Sequence, residues 1–335
     1  METLSRVHAR NLVTWAKDKP KAVVLSADLT SSCEADAFRD AYPDRFFSMG
    51  VAEQNMLSFA AGLAREGFLT LVHTFAVFIY RRAYDQVAMS VAYPNLAVKM
   101  FGFLPGISTP GGATHQAVED VALMRTLPNM TVLETGDATE VESVLEVAAS
   151  VPGPVYVRML RGQVPRLFPA SEPLRLDQPR VLSRGKDLTI LSSGLCTEEA
   201  LQAVALLKTR GVAVEHLHLS TLKPCSHPAI LQALAQPKYG VLTLENHLVT
   251  GGLGSIAAEM IAENGLGVKL YRLGLQDTFA HGASRGYLMR EYGLDAFALV
   301  QATERALNTD LRICREDLAQ VQVDALPSEA KAEDL

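Results

Sequence analysis

The chain has 335 residues, more than the roughly 250–300 at which a single hydrophobic core usually divides, so two domains are expected. Its 48% hydrophobic and 20% charged residues describe a globular protein with ample core, and a net charge of -6 with no basic run longer than Arg81-Arg82 excludes broad nucleic-acid binding. No apolar run approaches the roughly 18–20 residues of a membrane span, the first residues lack a signal pattern, and Cys33, Cys196, Cys225 and Cys314 form no Cys-x-x-Cys pair, so a cytoplasmic protein with free thiols is expected.

In chain order, residues 6–17 are expected to be helical and 22–26, Ala-Val-Val-Leu-Ser, to form a strand. Asp28 and Thr30 follow at its carboxyl end, where open α/β sheets build their sites. A strand at 45–48 leads into Phe46-Phe47-Ser48-Met49-Gly50-Val51-Ala52-Glu53, in which an apolar run breaks at Gly50 and places Glu53 at the mouth of a helix. The next residues, 56–64, are almost all apolar or small, so that helix is expected to be buried. A carboxyl group taken out of water holds or shares a proton more readily, which makes Glu53 the first catalytic candidate. The alternative is a first-turn acid that complements the helix dipole.

A strand at 70–73, a helix at 83–92, a strand at 96–100, a Gly/Pro loop at 102–112, a helix at 118–126 and a strand at 130–134 continue the alternation. Strand and helix taking turns implies a mainly parallel sheet with helices on both faces. Between about residues 162 and 186 the chain turns to Pro165, Pro169, Pro173 and Pro179 with interspersed charge, which reads as a linker. The expected division is a first domain at 1–165, a linker at 166–186, a second domain at 187–318 and a frayed tail at 319–335. The second domain repeats the alternation with strands at 188–192, 212–214, 240–244 and 268–271 and a helix at 197–209. Gly251-Gly252-Leu253-Gly254 opens a further helix; it could cradle a phosphate, and a tight turn packed on the sheet explains it equally well.

Five blocks stand in order: Ala27-Asp28-Leu29-Thr30, Gly50-Val51-Ala52-Glu53, Thr74-Phe75-Ala76-Val77-Phe78, Thr114-His115-Gln116 and Leu127-Pro128-Asn129-Met130. With them the chain resembles the transketolase family of thiamine-diphosphate enzymes, and it is similar to their carboxyl-terminal half over about residues 5–315. The resemblance implies two consecutive α/β domains with mainly parallel sheets, a pyrimidine-binding domain and a transketolase C-terminal domain. It implies transfer of a two-carbon ketol unit from a ketose to an aldose. Glu53 matches the glutamate that hydrogen-bonds the aminopyrimidine ring and favours its imino tautomer, and Phe78, with Phe75 beside it, matches the aromatic that stacks on that ring. His115 matches a histidine near the reacting oxygen of the sugar, and Asp28 an acid near the cofactor and the subunit contact. Ser32 and Arg161, and Arg6 with a one-residue gap, align with residues that contact the substrate phosphate.

Two positions depart from the pattern. Gly111 stands where an aspartate four residues before the histidine reads sugar hydroxyls, and Phe103 stands where a histidine helps to hold the phosphate. A phenyl ring deletes a donor to the anion, so the terminal group of the sugar is expected to be bound differently, as in a sulfonated, branched or unphosphorylated ketose. The family's Gly-Asp-Gly motif, which with a divalent metal (Mg2+ or Ca2+) holds the diphosphate, is absent; Gly136-Asp137-Ala138 is the nearest approach. The resemblance therefore implies a separate amino-terminal subunit that ligates the metal, in an α2β2 heterotetramer. The alternatives are an enzyme like 1-deoxyxylulose-5-phosphate synthase, which Arg82-Ala83-Tyr84-Asp85-Gln86 also resembles, and the β-type subunit of a 2-oxo-acid dehydrogenase.

Overall fold

Short apolar runs rich in Val, Leu and Ile become the strands, and the amphipathic stretches between them become helices, in a computed structural model that describes residues 2–321. The tail expected at 319–335 lies largely outside the described residues. Strand β1 (Thr3–Ser5) pairs antiparallel with β8 (Gln163–Pro165) and so ties together the two ends of the first half. Between them run β2 (Ala22–Ser26), β3 (Phe46–Ser48), β4 (Leu69–Phe75), β5 (Val98–Phe103), β6 (Thr131–Glu134) and β7 (Val155–Met159), all parallel in the order β6-β7-β5-β4-β2-β3. Helices α1 (Val7–Ala16), α2 (Asp36–Ala41), α3 (Glu53–Arg65), α4 (Ala76–Gln86), α5 (Asp120–Thr126) and α6 (Ala138–Ser150) fall between them.

The second half builds a five-stranded sheet from β9 (Arg180–Ser183), β10 (Leu188–Ser192), β11 (Val214–His218), β13 (Gly240–Leu248) and β14 (Leu270–Leu275), in the order β14-β13-β10-β11-β9 with β9 antiparallel. Its helices are α7 (Cys196–Thr209), α8 (Pro228–Ala235), α9 (Leu253–Glu263), α10 (Arg285–Glu291), α11 (Ala296–Leu307) and α12 (Arg315–Ala319). One strand crosses over: β12 (Thr221–Lys223) leaves the second half to pair antiparallel with β6 at the edge of the first sheet. Among the described residues no helix is long and apolar enough to cross a membrane.

The second sheet's strand expected at 212–214 runs over Val214–His218, β5 extends to Phe103 into the expected loop, and two further differences have a plain physical reason. Helix α4 begins at Ala76 rather than at residue 83, because Ala76, Ile79, Tyr80, Ala83 and Val87 recur at helical spacing and are all buried. It breaks at Ala83 (φ -127, ψ 22) and then continues as a π-helix over Val87–Ala92. The proline-rich stretch is also more ordered than a bare connection. Leu167, Phe168 and Leu174 are buried and β9 joins the second sheet, since proline denies a ladder its donor without denying its neighbours burial.

Two buried polar clusters hold these layers. Where α1 crosses β4, His8 and His73 meet Nε2 to Nε2 at 2.9 Å, both fully enclosed. Burial pushes the His73 imidazole down to about 3 and the His8 imidazole well below its ordinary value, the neighbouring ring adding to the effect on His8. Between the two halves, Arg158 of β7 donates to Asp120 at 2.9 Å, to Glu134 at 2.5 Å, and to the carbonyls of Ala117 at 3.1 Å and Asn246 at 2.9 Å. Burial opposes the charge on Arg158, but Asp120 and Glu134 outweigh it and hold the guanidinium above its ordinary value.

Arg158→Ala leaves two buried carboxylates without their cation, which costs about 3–5 kcal/mol. The expected result is a fall of that size in the unfolding free energy from denaturant titration, and an unchanged midpoint would refute the assignment. The His73 site adds a pH dependence. Above the ordinary imidazole value of about 6.5 both the folded and unfolded chain keep His73 neutral; below it only the unfolded chain takes up a proton, so acidification towards 3 weakens the fold. In His73→Phe the loss of stability between pH 7 and pH 5 should shrink by roughly 2 kcal/mol, read from unfolding curves at the two pH values.

Candidate functional site

The carboxyl ends of β2, β4, β5 and β7 face one edge of the first sheet, and the candidate residues gather there in two groups. In the first, the chain leaves β3, turns through Gly50 in the left-handed region (φ 66), and enters α3 with Glu53 as its first residue. Glu53 is 3% exposed and its Oε1 accepts a hydrogen bond from Arg82 Nη1 at 3.0 Å. Val51, Ala52, Glu53, Gln54, Asn55 and Arg82 line an open concavity at this point.

Phe75 ends β4 and Phe78 lies in the first turn of α4, their rings stacked at 5.8 Å with an interplanar angle of 26°. The guanidinium of Arg82, one turn further along α4, sits 4.1 Å above the Phe78 ring. His115 approaches the same rings edge-on, 5.6 Å from Phe78 and 6.2 Å from Phe75, and its Nδ1 pairs with Thr114 Oγ1 at 2.9 Å. Glu53, Phe75, Phe78 and His115 thus form one contiguous group, and Arg82 is the side chain that links its carboxylate to its aromatic wall. In the sequence Arg82 stands out only as part of a longer block; its i, i+4 spacing from Phe78 was the available signal.

The second group surrounds the start of α1. Arg161 Nη1 donates to the Ser32 carbonyl at 3.0 Å, the Arg6 amide donates to the Gly162 carbonyl at 3.0 Å, and the Gly162 amide donates to Glu34 at 2.8 Å. Arg6 also pairs with Asp36, and that bond holds the Asp36 carboxyl below the usual range. Arg6, Ser32 and Arg161 are therefore brought together, with both guanidinium groups at the surface. Asp28 is exposed just beyond β2 with left-handed backbone (φ 59), apart from both groups' bonds.

The two departures have clear surroundings. Phe103 pairs with Phe75 across β5 and β4, but its ring is fully buried, packed 5.4 Å from His8 and 5.9 Å from His73. It forms a wall from behind and offers no surface to a ligand. Gly111 lies over His115: a Cβ there would stand 2.7 Å from the His115 Cβ and 2.9 Å from its Cγ, so no larger residue fits while the imidazole keeps this place. Among the described residues no group of three or more His, Cys, Asp or Glu side chains could hold a metal.

Residues 3–166 match the family model for the transketolase pyrimidine-binding domain, and residues 177–299 match that for the transketolase C-terminal domain. The chain is 39% identical over 292 residues to a 6-deoxy-6-sulfo-D-fructose transketolase subunit of Clostridium sp., covering 87% of this chain and 90% of that protein. It is 30% identical over 301 residues to one subunit of an apulose-4-phosphate transketolase from Actinobacillus succinogenes, covering 89% and 96%. A solved split-gene transketolase, described as an inactive β4 tetramer, superimposes with a TM-score of 0.81 at 38% identity over 90% of this chain and 97% of its own.

Proposed function

The chain belongs to the transketolase family of thiamine-diphosphate enzymes and corresponds to its carboxyl-terminal half, and from this we propose that it forms the pyrimidine-end half of an active site shared with a second subunit. The observation that carries the reading is the pairing of a buried carboxylate, Glu53, with an aromatic face, Phe78, through one flat nitrogen-rich cation. A flat group can lie on the Phe78 face with its edge at the Glu53 carboxyl, as the guanidinium of Arg82 does, so the residues present fit a planar ring at that end of the cofactor.

When bound, thiamine diphosphate supplies the carbanion chemistry of two-carbon transfer. Glu53 then holds or shares the proton at a ring nitrogen, Phe78 backed by Phe75 carries the ring, and His115 stands where it can give a proton to, or take one from, a sugar oxygen. Asp28, exposed on the same edge, faces the subunit contact. The diphosphate and its Mg2+ or Ca2+ fall to the partner, an amino-terminal transketolase subunit in an α2β2 assembly. That the relatives covered almost end to end are themselves called subunits supports this division. The same reading assigns 1–165 to the pyrimidine domain and 187–318 to the C-terminal domain, with the connection at 166–186 lending β9 to the second sheet.

Arg6, Ser32 and Arg161 are the candidates for the anionic end of the sugar. The relatives are named for a sulfonated and for a phosphorylated sugar, and a pair of arginines suits either anion. The likeness to a 6-deoxy-6-sulfo-D-fructose transketolase subunit makes a sulfonated ketose the first candidate donor, and Phe103, turned inward onto His8 and His73, adds no donor to its anion.

In the reconstituted two-subunit enzyme, Glu53→Ala should lower two-carbon transfer at least about a hundredfold, the order expected for loss of one proton-transfer partner. Full turnover by that variant in a coupled assay would sink the reading. Separately, comparing kcat/KM for 6-deoxy-6-sulfo-D-fructose and for xylulose 5-phosphate should favour the sulfonate, and a strong preference for xylulose 5-phosphate would remove the proposed donor class while leaving Glu53 untouched.

A further inference from the structure

We propose that Arg82 occupies the pyrimidine subsite of the free subunit, standing in for the ring, and that the cofactor enters by displacing its guanidinium. This rests on the assignment of Glu53 and Phe78 to the pyrimidine end. One planar group meets both of them at once: Cζ lies 4.1 Å from the Phe78 ring, and Nη1 donates to Glu53 Oε1 at 3.0 Å. The face of a phenyl ring accepts one planar group at a time, so a ring that stacks on Phe78 where the Arg82 guanidinium now lies must displace it. The residue that fills the site and the ligand that needs it are therefore in competition.

Three features suit Arg82 to leave. Its side chain is 47% exposed, whereas Glu53 is 3% exposed, so the cation can return to water while the carboxylate cannot. It is the last residue of α4 before the kink at Ala83 (φ -127, ψ 22). The neighbouring Arg81 is committed elsewhere, bonded to Glu119 at 2.8 and 2.9 Å and to the Ala113 carbonyl at 2.6 Å, so the two arginines have separate tasks. Before the ring arrives, Arg82 gives the buried Glu53 carboxylate a partner, without which its burial would be costly. With its cation half in water, this ion pair and its cation–π contact are each modest, so the competition lowers affinity by a modest factor and does not close the site.

The test is an equilibrium titration of thiamine diphosphate, with Mg2+, into the full-length subunit reconstituted with its diphosphate-binding partner, followed by near-UV circular dichroism. Arg82→Ala should bind the cofactor about three- to thirtyfold more tightly than the wild type, and Arg82→Met, which keeps the bulk of the stem, should shift in the same direction. Unchanged or weaker binding by both variants would overturn the proposal, the second by showing that Arg82 contacts the bound cofactor instead. Glu53→Gln and Phe78→Ala report on the underlying assignment. Each should weaken binding at least about tenfold, and wild-type affinity in both would overturn that assignment whatever Arg82 shows.

Discussion

A buried guanidinium lies at the centre of the contact between the halves of this molecule. Arg158 stands near the carboxyl end of β7, fully enclosed, and is neutralised by Asp120 and Glu134 from the first half while it also donates to the carbonyl of Asn246 in the second sheet. A charge so far from water persists only with several partners in fixed geometry, so the two sheets are held in one relative arrangement. Gly194, at the turn before α7, completes the contact: a Cβ there would stand 2.3 Å from Glu134 Oε1.

The consequence reaches the loop that carries His115. Asn246, fixed through its carbonyl by Arg158, uses its side chain on the chain just after β5, accepting from the Ile107 amide at 2.9 Å and donating to the Pro105 carbonyl at 3.0 Å. Gly106 between them must be glycine twice over, since its φ is 58 and a Cβ would lie 2.1 Å from Asn246 Oδ1. Further along, Gln116 donates to the carbonyls of Thr109 and His281, closing the loop on itself and on the second half. The second domain therefore braces a loop of the first. This gives a physical use to a sheet that contributes no side chain to the Glu53 group.

Much of this was legible in the sequence. Ala22–Ser26 and Leu188–Ser192 are strands over the same residues read from their apolar runs, because a strand buried on both faces needs no partner pattern to be recognised. Glu53 was placed at a helix mouth by the break at Gly50, a purely local signal. Non-local pairing was not legible. Thr221–Lys223 has no feature that announces a partner in Thr131–Glu134, and nothing local marks Arg158 of β7, whose role lies in Asp120, Glu134 and Asn246, distant along the chain. Phe103 shows the limit from the other side: the substitution was visible, but not that the ring turns inward onto His8 and His73.

The same limit applies to Gly111, where structure converts a missing side chain into a constraint. A glycine in a Gly-rich loop ordinarily signals only backbone freedom, yet Gly111 has no positive φ and is required by its neighbour. The imidazole of His115 fills the space a side chain at 111 would need, and that imidazole is held there by Thr114 and by T-shaped contacts with Phe75 and Phe78. A carboxylate at 111 and His115 in this position are mutually exclusive. The departure at 111 is thus part of how His115 is seated.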